Sequence, residues 1–482
     1  MLTWIEKRTG VLSLIQNFLT EDVPGGASYW YVFGSATLFA MIIQIVTGIF
    51  LTFFYAPSAA TAWESTKAMV DSPFQHFVLS LHYWGASAMI ALVALHLLQT
   101  LVWGAYKAPR EIQWIVGVLL FIITLVLGLT GYLLPWDLNA YFASQVAINI
   151  SGTVPIIGPA TQNFLQDGPT MGTLTLNRFF GVHVWLMPAA LVALVGAHLM
   201  IFRHNGAAGP AVDNPRPLRP GRFWPDQMFM DTVASFLLFA VILLLSVLSP
   251  APLDAKADPT NTAFVPYPAW YFLALFGLLG ILPPWAELLG TIILPGLAVL
   301  VLFSIPWIDR SIARTFSSRR LVLNATVLAI VLVVGLSIYS QVTIVQKQAE
   351  AAAAMPAANP GGGPMKTAGA SSGPSGSAAG QKIFSTNCAS CHGAAGQGLT
   401  GAFPPLAKNS MVAGDPKFDI HVLLYGLQGK IQVNGGDYNG QMPAWKGTLS
   451  SKDIAEVISY IRSQWGNQAK PITEADVEKV PK

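Results

Sequence analysis

Charge is scarce in this chain. Lys, Arg, Asp and Glu together make up 11% of the 482 residues while hydrophobic residues reach 53%, against roughly 25% charged residues in soluble domains. That balance excludes a soluble enzyme as a description of the whole chain, and a net charge of +3 supplies no basic surface for nucleic acid. Cysteine is scarcer still. Only Cys388 and Cys391 occur, so no long-range disulfide framework exists and both sulfurs fall within one short motif. Residues 1–20 include Glu6, Lys7 and Arg8 and no compact apolar run ending in small residues. No cleavable signal peptide is expected, and the first true span must insert the chain.

Long hydrophobic runs are what the chain does have. A bilayer core about 30 Å thick needs roughly 20 residues of apolar helix. Seven stretches meet or approach this: residues 29–56, 74–104, 114–134, 179–202, 232–248, 288–307 and 321–342. The expected fold class is all-α, a seven-span transmembrane bundle followed by a small all-α domain. An eighth apolar run, 270–282, stops at Pro283-Pro284 and is expected to lie at the membrane surface. Basic residues, among them Lys7, Arg8, Lys107, Arg110, Arg203, Arg216, Arg219, Arg222, Arg314 and Arg319, fall in alternate loops. The positive-inside bias then places the N-terminus in the cytoplasm and everything after the seventh span outside. Residues 347–380 are Ala, Gly, Pro and Ser with almost no large apolar side chain, the composition of a flexible linker. Residues 381–482 regain aromatic and charged residues and form the small domain.

Histidines sit at regular depths in two spans. The second span carries His82 and His96, 14 residues apart, and the fourth carries His183 and His198, 15 apart. Each spacing is about four helical turns, roughly 21 Å along the axis, and returns the side chain to nearly the same face. Both spans run the same way, so His82 faces His183 near the outer surface and His96 faces His198 near the inner one. Paired imidazoles from facing helices suit a six-coordinate haem iron that transfers electrons. Two haems b are expected, stacked across the membrane. Gly34 and Gly48 in the first span and Gly117 and Gly131 in the third repeat the 14-residue period. Hydrogen in place of a side chain lets a macrocycle lie against the backbone.

The small domain opens with Cys388-Ala389-Ser390-Cys391-His392, the attachment signature of a covalent haem c, in which the adjacent histidine ligates iron. Met442, followed by Pro443, is the expected sixth ligand, with Met411 as the alternative. Ile454, Val457, Ile458 and Ile461 mark one face of a helix within residues 451–465.

Over roughly residues 1–342 the chain resembles cytochrome b of the bc complexes. The likeness is carried by the histidine and glycine periods, by Lys107 to Glu111, by Gly131-Tyr132-Leu133-Leu134-Pro135-Trp136-Asp137 and by Arg178 leading into the fourth span. The 15-residue histidine spacing and Pro155-Ile156-Ile157-Gly158 are similar to the chloroplast type, whose two polypeptides are here fused. The resemblance implies a di-haem domain over residues 1–205, with Arg178 among its cofactor-binding residues, and a second cytochrome b domain over 206–346. Chloroplast-type relatives carry an extra haem bonded to a cysteine early in the first span. Val32 stands there, so no covalent third haem is expected in the membrane. Residues 381–482 resemble a class I monohaem cytochrome c.

The resemblance also implies quinol oxidation at the outer side, where the family's Pro-Glu-Trp-Tyr reads Pro268-Ala269-Trp270-Tyr271. A methyl group cannot take a proton, which leaves Asp254, Asp258, Tyr132, Tyr271, Glu287 or water to do so. On the inner side His204 and Asp231 are similar to family positions at a quinone-reducing site. The implied activity is that of a quinol:cytochrome c oxidoreductase with proton translocation. A Rieske iron–sulfur subunit, a soluble or membrane electron acceptor and a homodimeric assembly follow as partners, in the cytoplasmic membrane of a bacterium with the haem c domain on the periplasmic side. The alternative from another class is a di-haem membrane anchor relaying electrons for a dehydrogenase.

Overall fold

The computed structural model describes all residues except 1, 167–170, 212–219, 260, 262–263, 355–377, 389–391, 394–395, 397, 399–402, 443, 448 and 481–482. Cys391, Pro443, Arg216, Arg219 and most of the expected linker therefore lie outside the described residues. The chain divides into two units, Met1–Ala257 with Pro266–Lys347, and Asp258–Val265 with Gln348–Lys482.

Among the described residues seven helices are long and apolar enough to cross a membrane: Tyr29–Thr52, Pro73–Val102, Glu111–Tyr132, Thr173–Asn205, Phe223–Leu248, Leu289–Ile308 and Ser317–Glu350. These are the seven expected spans. In hydrocarbon every backbone N–H and C=O must find its partner within the segment, which is why each apolar run is helical throughout. Large apolar side chains such as Val46, Leu237 and Leu321 face outward, as lipid permits.

The fourth span contains a π-helical turn at Val182–Leu186, where the Met187 N–H reaches back to the Val182 carbonyl. Such a turn holds one residue more than an α-turn. It absorbs the fifteenth residue of the His183 to His198 interval, so that spacing works like the 14 of the second span.

Buried polar bonds fasten the helix ends. Arg319 is 1% exposed and donates to the carbonyls of Leu101 and Val102, capping the second span. Gly104 makes this approach possible: its φ is +62°, and a Cβ there would lie 3.1 Å from the guanidinium. Lys107 pairs with Asp309 at 2.9 Å and donates to Ser311, while Tyr106 donates to the same carboxylate. Lys107 and Arg319, by their place in the sequence loop charges that report topology, are both buried in the structure.

Between the third and fourth spans lie helices Leu138–Gly152 and Gly158–Gln166. The first is capped by Asp137, whose Oδ1 accepts from Ala140 N at 2.8 Å. The eighth apolar run forms the turn Trp270–Phe272 and helix Leu273–Ile281, and Gly277 lets it lie against the backbone of Leu336 in the seventh span. Not foreseen are two N-terminal helices, Leu2–Thr9 and Val11–Leu19. They expose Trp4, Val11, Leu12 and Ile15, the pattern of helices lying in a membrane interface. A two-residue strand Asp22–Val23 pairs antiparallel with Gly221–Arg222.

The C-terminal unit packs helix Ala378–Asn387 across helix Ser451–Ser463, with Pro416–Tyr425 and Glu474–Glu478 around them. Phe384, Ile420, Leu423, Ile454, Val457, Ile458 and Ile461 form its core. Ile454, Val457, Ile458 and Ile461 are the face read from the sequence. The departure from an all-α domain is a hairpin of Leu427–Val433 with Gly436–Met442, in register from Leu427↔Met442 to Val433↔Gly436. Its turn is Asn434-Gly435, both at positive φ, the preferred chemistry for a two-residue hairpin turn.

Candidate functional site

Across the bundle the four membrane histidines form two pairs. His82 faces His183 with ring centroids 6.3 Å apart and planes at 75°. His96 faces His198 at 6.5 Å and 78°. With metal–imidazole bonds of about 2 Å and roughly 1 Å from nitrogen to ring centre on each side, one ion between two imidazoles separates the centroids by roughly 6 Å. Both pairs fit an axially ligated metal.

Each of the four glycines abuts one imidazole. A Cβ added at Gly34 would lie 3.3 Å from His96 Cε1, at Gly48 3.2 Å from His82, at Gly117 3.5 Å from His198 and at Gly131 2.5 Å from His183. The sequence period thus becomes two clefts, each walled by two backbones without side chains and crossed by two imidazoles. Among the described residues no group of three or more His, Cys, Asp and Glu could hold a bare metal ion. Each pair offers two imidazole nitrogens, and each imidazole lies against a glycine of a neighbouring span.

The nitrogens are oriented unequally. His82 Nδ1 lies 2.9 Å from Thr47 Oγ1. His183 Nδ1 lies 3.1 Å from the Leu127 carbonyl and 3.2 Å from Thr130 Oγ1. A carbonyl only accepts, so His183 carries its proton on Nδ1 and Nε2 is free for metal. His96 Nδ1 and His198 Nδ1 are buried without a hydrogen-bond partner. Gln44 lies between the first two spans, donating to the His82 carbonyl at 3.0 Å and accepting from Ala86 N at 3.1 Å. Sequence reasoning missed Gln44, Thr47 and Thr130. A signal was present, for Thr precedes Gly48 and Gly131 but Phe33 and Val116 precede the other two glycines.

At the His82–His183 end Tyr132, Tyr267 and Asp254 come together. The Tyr132 hydroxyl donates to the Tyr267 carbonyl at 3.1 Å and accepts from Asn139, whose Oδ1 receives Tyr267 N at 3.0 Å. The Tyr267 hydroxyl donates to Asp254 Oδ2 at 3.3 Å. Asp254 is fixed by its backbone, its carbonyl accepting from Trp63 Nε1 at 3.0 Å and its N–H donating to Asp137. Pro268 is buried, Trp270 Nε1 reaches Ser87 at 3.4 Å and the Tyr271 hydroxyl reaches the Gly128 carbonyl at 3.4 Å. Glu287 is exposed and makes no side-chain hydrogen bond with these tyrosines, and Asp258 is exposed in the other unit. Tyr267 and Asn139 were not singled out in the sequence.

At the opposite end Asp231 accepts from Gln227 Nε2 at 2.9 Å, and Gln227 Oε1 receives Ser28 N at 2.8 Å. His204 is exposed and no hydrogen bond joins it to Asp231. Arg178 donates to the Phe164 carbonyl and lies 4.8 Å above the Phe164 ring.

The C-terminal domain holds an apolar cleft of about 150 Å3, lined by Cys388, His392, Pro404, Met411, Tyr438 and Met442 among others. Burial lowers the basicity of His392. Its Nδ1 lies 2.9 Å from the Pro404 carbonyl, which fixes the proton there and leaves the Nε2 lone pair available to a metal. Both candidate methionines line the cleft.

Three family models match in sequence order: cytochrome b (N-terminal)/b6/petB over residues 87–256, cytochrome b (C-terminal)/b6/petD over 256–356, and cytochrome c over 377–465. The chain is 42% identical to the menaquinol:cytochrome c reductase cytochrome b subunit of Geobacillus thermodenitrificans, over 43% of this chain and 96% of the relative. It is 30% identical to cytochrome b of Allochromatium vinosum, over 64% of this chain and 80% of the relative. A solved chain of a hyperthermophilic respiratory Complex III aligns with a TM-score of 0.61 at 27% identity, covering 73% of this chain and 95% of that one. Both halves of a cytochrome b are thus present on one chain with a cytochrome c domain after them, and the protein belongs to the cytochrome b family of electron-transport membrane oxidoreductases.

Proposed function

We propose that the chain is the cytochrome b–c subunit of a quinol:cytochrome c reductase in a bacterial cytoplasmic membrane, with the His82–His183 end outward and the cytochrome c domain in the periplasm. The observation that carries this reading is the repeated imidazole pair, 6.3 and 6.5 Å between centroids, each beside two side-chain-free backbones. Two haems b on His82, His183, His96 and His198, and one haem c on Cys388, Cys391, His392 and Met442, supply one-electron transfer across and out of the membrane. The bundle keeps those sites dry, and its glycines leave them room. Menaquinol, named in the Geobacillus relative, is the substrate class favoured for the outer site.

Two electrons leave each quinol there, one to a Rieske iron–sulfur subunit and one into the membrane, and two protons leave with them. Ala269 cannot take a proton. Asp254, reached through the Tyr267 hydroxyl at 3.3 Å, is the acceptor favoured by the hydrogen bonds around it. On the inner side Asp231 and His204 return protons to a reduced quinone. The linker within residues 347–380 lets the cytochrome c domain meet its donor and then its acceptor, and the subunit works as a homodimer.

The test is quinol-driven reduction of added cytochrome c by the purified complex. Asp254→Asn is expected to slow it about tenfold or more, the low end of or below the range for general-base catalysis, with the haem spectrum unchanged. A wild-type complex that oxidises no quinol would contradict the reading as a whole, and an unaffected variant would remove Asp254 from it.

A further inference from the structure

The start of helix Leu138–Gly152 holds two separate stretches of loop. Asp137 accepts from Asp254 N at 3.2 Å, and Leu138 N donates to the Ala255 carbonyl at 2.8 Å. The next residue, Asn139, is 5% exposed and its Oδ1 accepts from Tyr267 N at 3.0 Å. A backbone N–H only donates, so the Asn139 oxygen must face Tyr267 and its Nδ2 must face the Tyr132 hydroxyl. The Tyr132 oxygen therefore accepts from Asn139, and its single hydrogen goes to the Tyr267 carbonyl at 3.1 Å.

Three tyrosine hydroxyls at this end thus point their hydrogens at unlike acceptors. Those of Tyr132 and Tyr271 face the peptide carbonyls of Tyr267 and Gly128, at 3.1 and 3.4 Å. That of Tyr267 faces the Asp254 carboxylate at 3.3 Å. A peptide carbonyl accepts a hydrogen bond without taking the proton, whereas a carboxylate can take it. Tyr267 is also 37% exposed, within reach of a ligand. Resting on the reading that Asp254 takes the quinol proton, we propose that Tyr267 is the group that meets the quinol hydroxyl and relays its proton to Asp254. In this arrangement Asn139 is a positioning residue, which locks Tyr132 as a strut and keeps Tyr267 in register with the carboxylate. The quinol O–H bond breaks and a Tyr267 O–H bond forms, while the tyrosine's first proton passes to Asp254 Oδ2. Tyr267 is unchanged after each transfer, and the electrons leave separately, to the Rieske subunit and into the membrane.

The experiment is quinol-driven reduction of cytochrome c by the purified complex, with kcat and KM for quinol measured separately. Tyr267→Phe is expected to lower kcat on the order of tenfold, at or below the range of general-base catalysis, with the haem spectrum unchanged. Combined with Asp254→Asn it is expected to add no further loss, because both act on one path. Tyr132→Phe is expected to cost only a few-fold, since Asn139 still holds Tyr267 N. Asn139→Leu is expected to lower kcat more than it raises KM and, like Tyr267→Phe, to add nothing to Asp254→Asn; a merely structural role would multiply with it. The proposal is overturned if Tyr132→Phe is slower than Tyr267→Phe, or if the losses from Asn139→Leu and Asp254→Asn multiply. If Asn139→Leu fails to assemble, the order of the two tyrosine variants decides. An unaffected Asp254→Asn complex removes the acceptor and this path with it, whereas a slow Asp254→Asn beside an unaffected Tyr267→Phe removes the relay alone.

Discussion

The membrane unit and the C-terminal domain assemble their candidate haem sites by opposite means. In the domain, Cys388, Cys391 and His392 fall within five residues, and thioether bonds would hold the macrocycle whatever the rest of the cleft does. In the membrane unit each site draws on four helices, with one imidazole from the second span, one from the fourth and one glycine each from the first and third. A site of the first kind is a property of a short motif. One of the second kind exists only while the helices pack, so a substitution that shifts the packing alters the site.

The sharpest way to break that contrast is a matched pair of substitutions. Gly131→Val places atoms within 2.5 Å of His183 Cε1 and is expected to remove one b haem, about half of the b absorbance, with the c absorbance intact. Tyr438→Leu, in the wall of the C-terminal cleft, is expected to leave haem c attached. Pyridine haemochrome spectra read both, and full b-haem content in the glycine variant would show that the cleft does not depend on that backbone.

A smaller effect is expected from the helix ends. Asp309→Ala strands Lys107, whose side chain is 8% exposed, and breaking a buried ion pair costs about 3–5 kcal/mol. The expected result is earlier thermal loss of the b spectrum with no change at the c band. Equal stability to wild type would show that the pair is not needed to fasten the second span to the sixth.

The mildest effect lies in the domain. Burial pushes the Asp419 carboxyl up to about 6 from 3.8, against the pull of Arg462 at 2.7 Å. The native state then binds this proton more readily than the unfolded chain does. The stability contribution is full below 3.8 and lost as the pH rises through about 6. The domain is expected to gain about 1 kcal/mol between pH 7 and pH 5. Asp419→Asn is expected to flatten the slope, as measured by thermal melting at the c band.

These differences also explain what could be read from the sequence. The spans, the histidine and glycine periods and the Cys-x-x-Cys-His motif are regular in one dimension, and the structure has the spans, histidines and glycines where the periods put them. Arg319 capping the second span, Tyr267 reaching Asp254 and Asn139 joining Tyr132 to Tyr267 depend on loops folding back over long stretches of chain, which no local pattern encodes. The extra residue in the His183 to His198 interval was visible as a number, but the π-helical turn that absorbs it was not. The hairpin of the C-terminal domain was missed although Asn434-Gly435 signalled it.

The central claim is that His82 with His183, and His96 with His198, hold separate haems. Its most direct test is the b-haem content of His96→Leu and His82→Leu complexes, each resolved by redox titration. The account expects each variant to keep one b haem, the two survivors differing in potential, and both to keep haem c. Two b haems remaining in either variant, or the same haem surviving in both, would contradict it.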